Sequence, residues 1–242
     1  RNTPNATSNV MESPMAVGNV RGTLGLKFTA LMLGLLLLSA CKHDPLSADN
    51  DPKLDSWSLD IDAPFYMQGM IELIVVEDIH GRYFRRPGGS SVGSGNPGLD
   101  REYARGWTTI GGNIYSISSI DLPKRIFVRW QSIVEQKTYK GWVDIPESGR
   151  SIMRGSTARR CPDWPDYPAN SMAAAVIGVA PGGVIRVWVD DNCLNDNLVA
   201  GAQAEIEPLG PDQGLSEGRF AYPITEHSKR YIERYGIPYG SW

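Results

Sequence analysis

The sequence has few of the residues that bind metals or serve as nucleophiles, with three cysteines and three histidines in 242 residues. His43, His80 and His227 are far apart in the sequence, and neither His80 nor His227 has a cysteine at a short spacing. A protein zinc site takes three or four ligands at short, regular spacings. We therefore expect no metal, no cofactor and no catalytic residues built around a histidine.

Basic side chains are not in excess either. Lys and Arg number 24 against 27 Asp and Glu, which gives a formal net charge of −3 at pH 7. Nucleic-acid-binding proteins neutralise phosphates with clustered Lys and Arg. We therefore expect no nucleic-acid partner for this chain.

Long apolar runs are also scarce, and the clearest one is too short to cross a membrane as a helix. It covers residues 28–40 and follows the basic residues Arg21 and Lys27. A spanning helix needs about 18 or more apolar residues, whereas a shorter run behind basic residues is typical of a signal peptide. We predict that residues 1–40 are a cleaved signal peptide, in which residues 1–20 are a non-native extension.

The apolar run ends in Leu38-Ser39-Ala40-Cys41, which resembles the bacterial lipobox. The resemblance implies that Cys41 carries acyl chains such as palmitate and becomes the first residue of the mature protein. One acyl chain binds a membrane only marginally, so two or three chains are needed for lasting attachment. Lys42 stands where an aspartate would favour the inner membrane. We expect an outer-membrane anchor that faces the periplasm.

Two further cysteines, Cys161 and Cys193, remain after Cys41. The periplasm is oxidising, so two cysteines in an exported domain are expected to pair. The alternatives are a reactive thiol or a pair of metal ligands, and no CxxC spacing or nearby histidine supports either. We predict a disulfide between Cys161 and Cys193.

The pattern of apolar residues divides the mature chain into a tether and a domain. Residues 41–55 are polar and lack periodicity, which predicts a lipid-anchored flexible tether. From residue 56 onward short apolar alternations are separated by turns rich in glycine and proline. The predicted strands are residues 57–62, 70–79, 106–110, 114–120, 126–134, 138–145, 173–180, 184–189 and 202–207, the predicted helices are 146–154 and 226–235, and residues 86–98 are a predicted surface loop.

Many short strands and few helices favour a mainly β fold. We predict one antiparallel two-layer β-sandwich-like domain at residues 56–242, with a short C-terminal helix. Thr225 is the expected N-cap of that helix, and Gly236 follows its last turn.

Two glycine-containing motifs occur in the predicted loop. Gly89-Ser90-Ser91-Val92-Gly93 matches the G-x-S-x-G pattern of hydrolases, and residues 93–98 match G-x-G-x-x-G. The first pattern needs a strand before the serine and a helix after it, and the second needs a βαβ unit. Neither context is present, so we interpret both motifs as loop sequence.

Candidate partner-binding residues lie on the last predicted hairpin and beside the cysteines. Ile185, Val187 and Val189 occupy one face of a strand, which places Arg186 and Trp188 on the other. Exposed Arg and Trp resemble the anchor residues of protein interfaces, although a second packed layer would bury them equally well. The full set of candidates is Arg186, Trp188, Trp164, Asp190 and Asp191.

Several short blocks together resemble domain-of-unknown-function family 2931, a family of uncharacterised bacterial lipoproteins. The resemblance spans the chain from about Ser56 to the C-terminus. The blocks are Leu122-Pro123, Ile126-Phe127-Val128-Arg129-Trp130-Gln131-Ser132, Lys137-Thr138-Tyr139, Gly178-Val179-Ala180-Pro181-Gly182-Gly183 with Val187-Trp188-Val189, and Tyr235-Gly236-Ile237-Pro238-Tyr239-Gly240.

Genes of this family are often found beside genes for phospholipase effectors of type VI secretion. The resemblance therefore implies an immunity protein, held at the membrane, which binds and inhibits a phospholipase-type toxin in the periplasm. An envelope structural or assembly lipoprotein that binds another periplasmic protein is the alternative. A hydrolase with an unrecognised site is a third reading, and the sequence shows no motif for it.

Overall fold

Ten strands and two short α-helices form in the part of the chain that the structure describes, and the strands lie mostly where apolar and polar residues alternate. The computed structural model describes residues 43–108 and 110–242. The predicted signal peptide and Cys41 lie outside these residues. Within the described ranges, no helix has both the length and the apolar character that a membrane span requires.

The first sheet is mixed. Its strand order along the sheet is β4-β1-β7-β8-β9, and all neighbours are antiparallel except β1 and β7, which run parallel. The strands are β1 (Trp57–Asp62), β4 (Asn113–Ile117), β7 (Ala173–Ala180), β8 (Val184–Asp190) and β9 (Asp196–Gln203).

The second sheet is antiparallel throughout, with the order β10-β6-β5-β2-β3. Its strands are β2 (Gly69–Asp78), β3 (Tyr83–Val92), β5 (Pro123–Ser132), β6 (Lys137–Asp144) and β10 (Glu205–Ile206).

The core lies between the two sheets. Every second side chain of each central strand points inward, as the two-residue period of a strand requires. Leu59 and Ile61 of β1 belong to one buried cluster with Ile126, Val128 and Trp130 of β5. The predicted two-layer β-sandwich is therefore confirmed, with one mixed sheet in place of two antiparallel ones.

Two helices and a second, smaller cluster complete the domain. Helix α1 (Glu147–Ser156) follows β6, and helix α2 (Glu226–Tyr235) lies near the C-terminus, at the predicted positions. Tyr231 of α2 stacks on Tyr66, with ring centroids 4.4 Å apart. This contact fixes the C-terminal helix to the loop that follows β1.

The predicted loop at residues 86–98 was wrong over its first half, because β3 extends through Val92. β3 is an edge strand, so Pro87 removes no hydrogen bond to a further strand. Its register shifts opposite Ile71 and Leu73 of β2, and a Cβ at Gly88 would overlap the carbonyl oxygen of Ile71. The absence of a side chain at Gly88 therefore allows β3 to approach β2 closely at this point.

Two other predicted strands are shifted. No strand forms at residues 106–108 or 110, and the edge strand β4 begins at Asn113 and ends at Ile117. The strand predicted at residues 202–207 is divided, since β9 begins at Asp196 and β10 contains only Glu205 and Ile206. Ala204 separates β9 from β10, and its N–H donates to the carbonyl oxygen of Gly183 (2.7 Å).

The folded unit begins before the predicted boundary at Ser56, and it runs from Pro45 to Trp242. Ser47 forms a β-bridge with Arg159, and the N–H of Leu54 donates to the carbonyl oxygen of Ser171 (2.8 Å). Much of the segment predicted to be a tether is therefore paired with the domain.

Candidate functional site

The predicted disulfide joins Cys161 to Cys193, with the two Cα atoms 4.8 Å apart. It connects the proline-rich segment after α1 to the turn between β8 and β9. Asp163 lies within 4.8 Å of both sulfurs, but bridged sulfurs are not thiolates and do not ligate a metal in that state. The disulfide is therefore a structural link between two surface loops.

The segment of residues 161–168, which we call the aromatic loop, is held at its base by a buried carboxylate. Arg160 donates to both carboxylate oxygens of Asp51, from Nη2 at 2.7 Å and from Nε at 3.0 Å. The N–H of Ala169 donates to the same carboxylate at 2.7 Å. The Arg160 and Ala169 donors lower the pKa of Asp51 to about 2. These bonds and the disulfide fix both ends of the loop.

The aromatic loop exposes large apolar side chains. Trp164 is 51% exposed, Tyr167 is 72% exposed, and Leu194 from the facing turn is 59% exposed. Together with Cys161 and Pro168 they line a shallow cavity of about 450 Å³. Contiguous exposed apolar surface on a soluble domain is typical of an interaction site.

The turn that faces this loop is organised by Asp191. Its Oδ1 accepts from the N–H groups of Cys193 (2.8 Å) and Asn195 (3.0 Å), while the Asn192 side chain donates to the carbonyl oxygen of Arg160 (3.1 Å). Burial alone would raise the pKa of Asp191, but the donors on Asn195 and Cys193 outweigh it and lower this pKa. Asp191 therefore shapes the turn that presents Leu194.

The candidates Arg186 and Trp188 lie away from the aromatic loop and are covered by other parts of the chain. The indole of Trp188 is 9% exposed and packs edge-on against Trp107, with centroids 5.1 Å apart. Arg186 donates to the carbonyl oxygen of Trp242 (3.1 Å). The structure therefore shows a second packed layer over Arg186 and Trp188, and not an exposed pair of anchor residues.

Carboxyl groups gather on the outer face of the first sheet. Burial raises the pKa of Asp62 to about 7, and the nearby Asp60 adds to that increase, although the N–H groups of Ala63 and Gly111 oppose it. Burial likewise raises the pKa of Asp190 to about 6, with a further contribution from Asp196. Asp190 is half-buried on this face, and its burial is the main cause of its raised pKa.

We expect the stability of the domain to fall as pH rises from about 4 to 8. The folded-state pKa of Asp62 lies above its unfolded value, so the native state keeps a proton that the unfolded chain has lost, and ionisation in the native state is unfavourable. Asp62→Asn should raise the free energy of unfolding at pH 8 by about 1 to 2 kcal/mol, a discounted value because the group remains partly solvated.

The measurement is urea denaturation at pH 4 and pH 8. Asp144→Asn, at an exposed position of β6, is the matched control. It should leave the free energy of unfolding unchanged at both pH values. A variant Asp62→Asn that gains no stability at pH 8 relative to pH 4 would contradict this prediction.

Glu135 is a buried carboxylate for which no role was predicted from the sequence. Its side chain is 2% exposed. It accepts from the hydroxyl groups of Tyr139 (3.1 Å) and Tyr239 (2.9 Å) and from the N–H of Gly182 (3.1 Å). Burial and the adjacent carboxylate raise the pKa of both tyrosines, that of Tyr239 to about 12.

The partners of Glu135 come from three of the blocks by which the sequence resembles family 2931. Tyr139 belongs to Lys137-Thr138-Tyr139, Gly182 to the turn between β7 and β8, and Tyr239 to the C-terminal block. Glu135 itself lies in none of these blocks, and their convergence on it is visible only in the structure, so the sequence carried no signal for its role. The arrangement closes the C-terminal segment over the ends of two hairpins, and we call it the Glu135 clamp.

The serine and histidine motifs lie in contexts other than those of the enzymes they resemble. Ser91, the serine of G-x-S-x-G, lies within β3 and not at a turn into a helix. His80 is exposed and pairs with Asp121 (3.2 Å), and His227 is near the hydroxyl of Thr225 (3.2 Å) in the first turn of α2. These contacts do not join a histidine to Ser91.

Comparisons with known proteins give one family. No curated protein and no solved structure matches the chain significantly. The family described as Protein of unknown function (DUF2931) matches residues 43–240, which is most of the chain and nearly all of the folded unit. The chain therefore belongs to the DUF2931 family.

Proposed function

We propose that this chain is a lipid-anchored protein of the bacterial envelope that binds another protein through the aromatic loop. The observation that carries the proposal is the exposure of Trp164, Tyr167 and Leu194 on a surface fixed by the disulfide and by Asp51. Tryptophan and tyrosine are enriched among the residues that dominate interface energies. A loop that is already ordered loses less conformational entropy on binding than a flexible one.

Charge around the aromatic loop supports a partner with basic groups. Asp163 and Asp166 are exposed in the same segment as Trp164. Acidic side chains at the rim of an apolar patch speed association with a basic surface and disfavour acidic partners. The surface therefore fits a protein that offers an apolar side chain flanked by Lys or Arg.

The partner that we propose is a phospholipase-type toxin of type VI secretion, which makes the chain an immunity protein. Lipid attachment through Cys41 would hold the inhibitor at the membrane that such a toxin attacks, and the proposed location is the periplasmic face of the outer membrane. Inhibition requires a complementary surface and no catalytic group on this chain. The alternative is an envelope assembly lipoprotein, which would use the same surface for a resident periplasmic protein.

The test is co-purification of the full chain, extracted from membranes, with the product of a neighbouring lipase-like gene, followed by a lipase assay. We expect a stable complex without lipase activity. The double variant Trp164→Ala/Tyr167→Ala should weaken binding at least about 30-fold, because truncation of even one anchor at an interface centre costs about 2 kcal/mol or more. Cys41→Ser should release the protein from the membrane fraction.

The matched control is Ile114→Ala, an exposed apolar residue on the edge strand β4, and it should bind as the wild type does. Absence of a complex with the lipase would favour the assembly alternative. A complex whose affinity is unchanged in the double variant would show that the aromatic loop is not the interface.

A further inference from the structure

The outer face of the second sheet carries an ion pair that is buried, although an uncovered outer face of a sheet is normally solvated. Nε of Arg129 on β5 donates to Oε2 of Glu72 on β2 (2.7 Å), and the two side chains are 11% and 5% exposed. The segment after β10 crosses this face, and the N–H of Asp212 donates to Oε1 of Glu72 (2.7 Å). Burying two charges costs desolvation energy, so a buried ion pair on this face is weak evidence for a purely stabilising role.

A cavity of about 510 Å³ lies at this ion pair, within the size range of small-molecule sites. Its floor contains Glu72, Arg129 and Gln131, and its other walls include Leu215 and Tyr222. Leu215 and Tyr222 are both exposed. The cavity therefore combines a polar floor with an apolar rim.

Gln131 provides a hydrogen-bond acceptor without a partner in the described part of the chain. The residue is 3% exposed, and its Nε2 donates to Glu72 (2.8 Å), but its Oε1 accepts no hydrogen bond. A buried acceptor left without a donor costs about 1 to 3 kcal/mol. A ligand in the cavity with a donor group would remove that cost.

The roof of the cavity holds a backbone conformation that is unfavourable for its residues. Asp212 and Gln213 are consecutive non-glycine residues with φ of 52° and 55°. Such strain is common at ligand clamps. With its carboxamide oxygen turned toward the guanidinium, Gln213 accepts from Nη2 of Arg129 at 2.7 Å. An oxygen from the roof thus occupies the position that a ligand acceptor would take beside Arg129.

These groups specify the chemistry of the ligand. Gln131 lacks a donor, Arg129 would need a new acceptor once the Gln213 carboxamide is displaced, and a hydroxyl group can be both. Glu72 compensates the charge of Arg129, so the floor does not favour an anion. The apolar rim requires an apolar ligand face, and Tyr222 offers a ring on which such a face can stack.

We propose that this cavity binds a neutral saccharide, with adjacent ring hydroxyls on Arg129 and Gln131 and the apolar face of the ring on Tyr222. The ligand displaces the Gln213 carboxamide from Arg129. This inference is independent of protein binding by the aromatic loop. A free oligosaccharide and the exposed end of a glycan polymer would offer the same chemistry.

The test uses the full chain in a detergent without a sugar headgroup. The probes are maltose and the β-linked disaccharide of N-acetylglucosamine, measured by titration calorimetry and by saturation-transfer NMR. We expect one of them to bind, with transfer to its ring protons. Gln131→Met and Tyr222→Ala should each weaken binding at least about tenfold, and Tyr222→Phe should bind as the wild type does.

The controls Gln203→Met and Tyr83→Ala make the same kinds of change at exposed positions outside the cavity and should leave affinity unchanged. A pull-down on insoluble glycan strands separates the sources: retention that the disaccharide reverses identifies a polymer end, and binding of the disaccharide alone identifies a free sugar. Failure of every probe to bind more tightly than about 10 mM would overturn the proposal. Binding that is unchanged in both Gln131→Met and Tyr222→Ala would also overturn the proposal. Thermal melts establish that these variants are folded.

Discussion

Replacing Glu135 by alanine is expected to lower the free energy of unfolding by about 3 kcal/mol, because it leaves two buried donors without an acceptor. The carboxylate accepts from Tyr139, Tyr239 and Gly182, and its side chain is 2% exposed. Tyr239 is exposed and can turn to water, whereas the Tyr139 hydroxyl and the Gly182 N–H lie deeper. The loss should therefore be smaller than three unsatisfied donors would give.

The effect should be concentrated at the C-terminus. Tyr239 connects the C-terminal segment to the Glu135 clamp, and Arg186 holds the last residue through the carbonyl oxygen of Trp242. Without Glu135 only the second of these two contacts remains. Amide hydrogen exchange should therefore accelerate at residues 236–242 and at Gly182 more than in the central strands.

Guanidinium denaturation of Glu135→Ala, Glu135→Gln and Glu205→Ala measures the effect. Glutamine keeps one acceptor oxygen and should lose about half as much stability as alanine. Glu205, which is exposed and lies 3.7 Å from Lys140 in an ion pair, is the matched control, and its loss should stay within about 0.5 kcal/mol. Equal stabilities for the two alanine variants would show that the clamp contributes nothing.

The elements that the sequence predicted well are those determined by neighbouring residues. The hairpin of β7 and β8 turns at Gly182 and Gly183, whose φ values of 80° and 79° are open to glycine at little cost. Helix α2 begins after Thr225 and ends before Gly236, as predicted, and Gly236 has the positive φ of 72° that favours glycine after a helix, although the Thr225 side chain makes no capping hydrogen bond. The disulfide followed from the number of cysteines and the expected compartment.

The features that the sequence did not predict depend on distant parts of the chain. The residues around Pro87 and Gly88 have the composition of a loop, and they form a strand because β2 supplies a partner with a matching irregularity. Trp188 could have been an anchor or a packed residue, and Trp107, from a distant segment without a regular strand, decides between the two. Amino-acid alternation cannot indicate which segment will cover an outer face.

The candidate surface also combines features that neighbouring residues determine with features that depend on distant parts of the chain. Cys161, Cys193 and the exposed Trp164 were predicted together, because they are close in sequence or joined by the disulfide. Leu194 completes the surface only because Asp191 holds the turn that presents it. The ion pair of Arg129 and Glu72 is formed across two strands whose pairing the sequence did not specify.

Removal of the disulfide is the second change with a large expected effect. The double variant Cys161→Ala/Cys193→Ala should lose about 3 to 4 kcal/mol of stability, since the bridge closes a loop with a sequence separation of 32 residues and restricts the unfolded chain. Wild-type protein in a reductant should unfold at the same denaturant concentration as the variant. Thiol counting should find two reactive groups fewer in the oxidised domain than in the reduced one.

Partner binding should respond to this change differently from overall stability. The Arg160 and Ala169 contacts to Asp51 remain in the double variant, so the base of the aromatic loop stays attached while the distance from Trp164 to Leu194 is no longer fixed. Affinity for a partner should therefore fall even under conditions in which the variant is fully folded, because the surface must be ordered on binding. If the folded variant binds as tightly as the wild type, the rigidity of the aromatic loop has no part in recognition, and the disulfide serves stability alone.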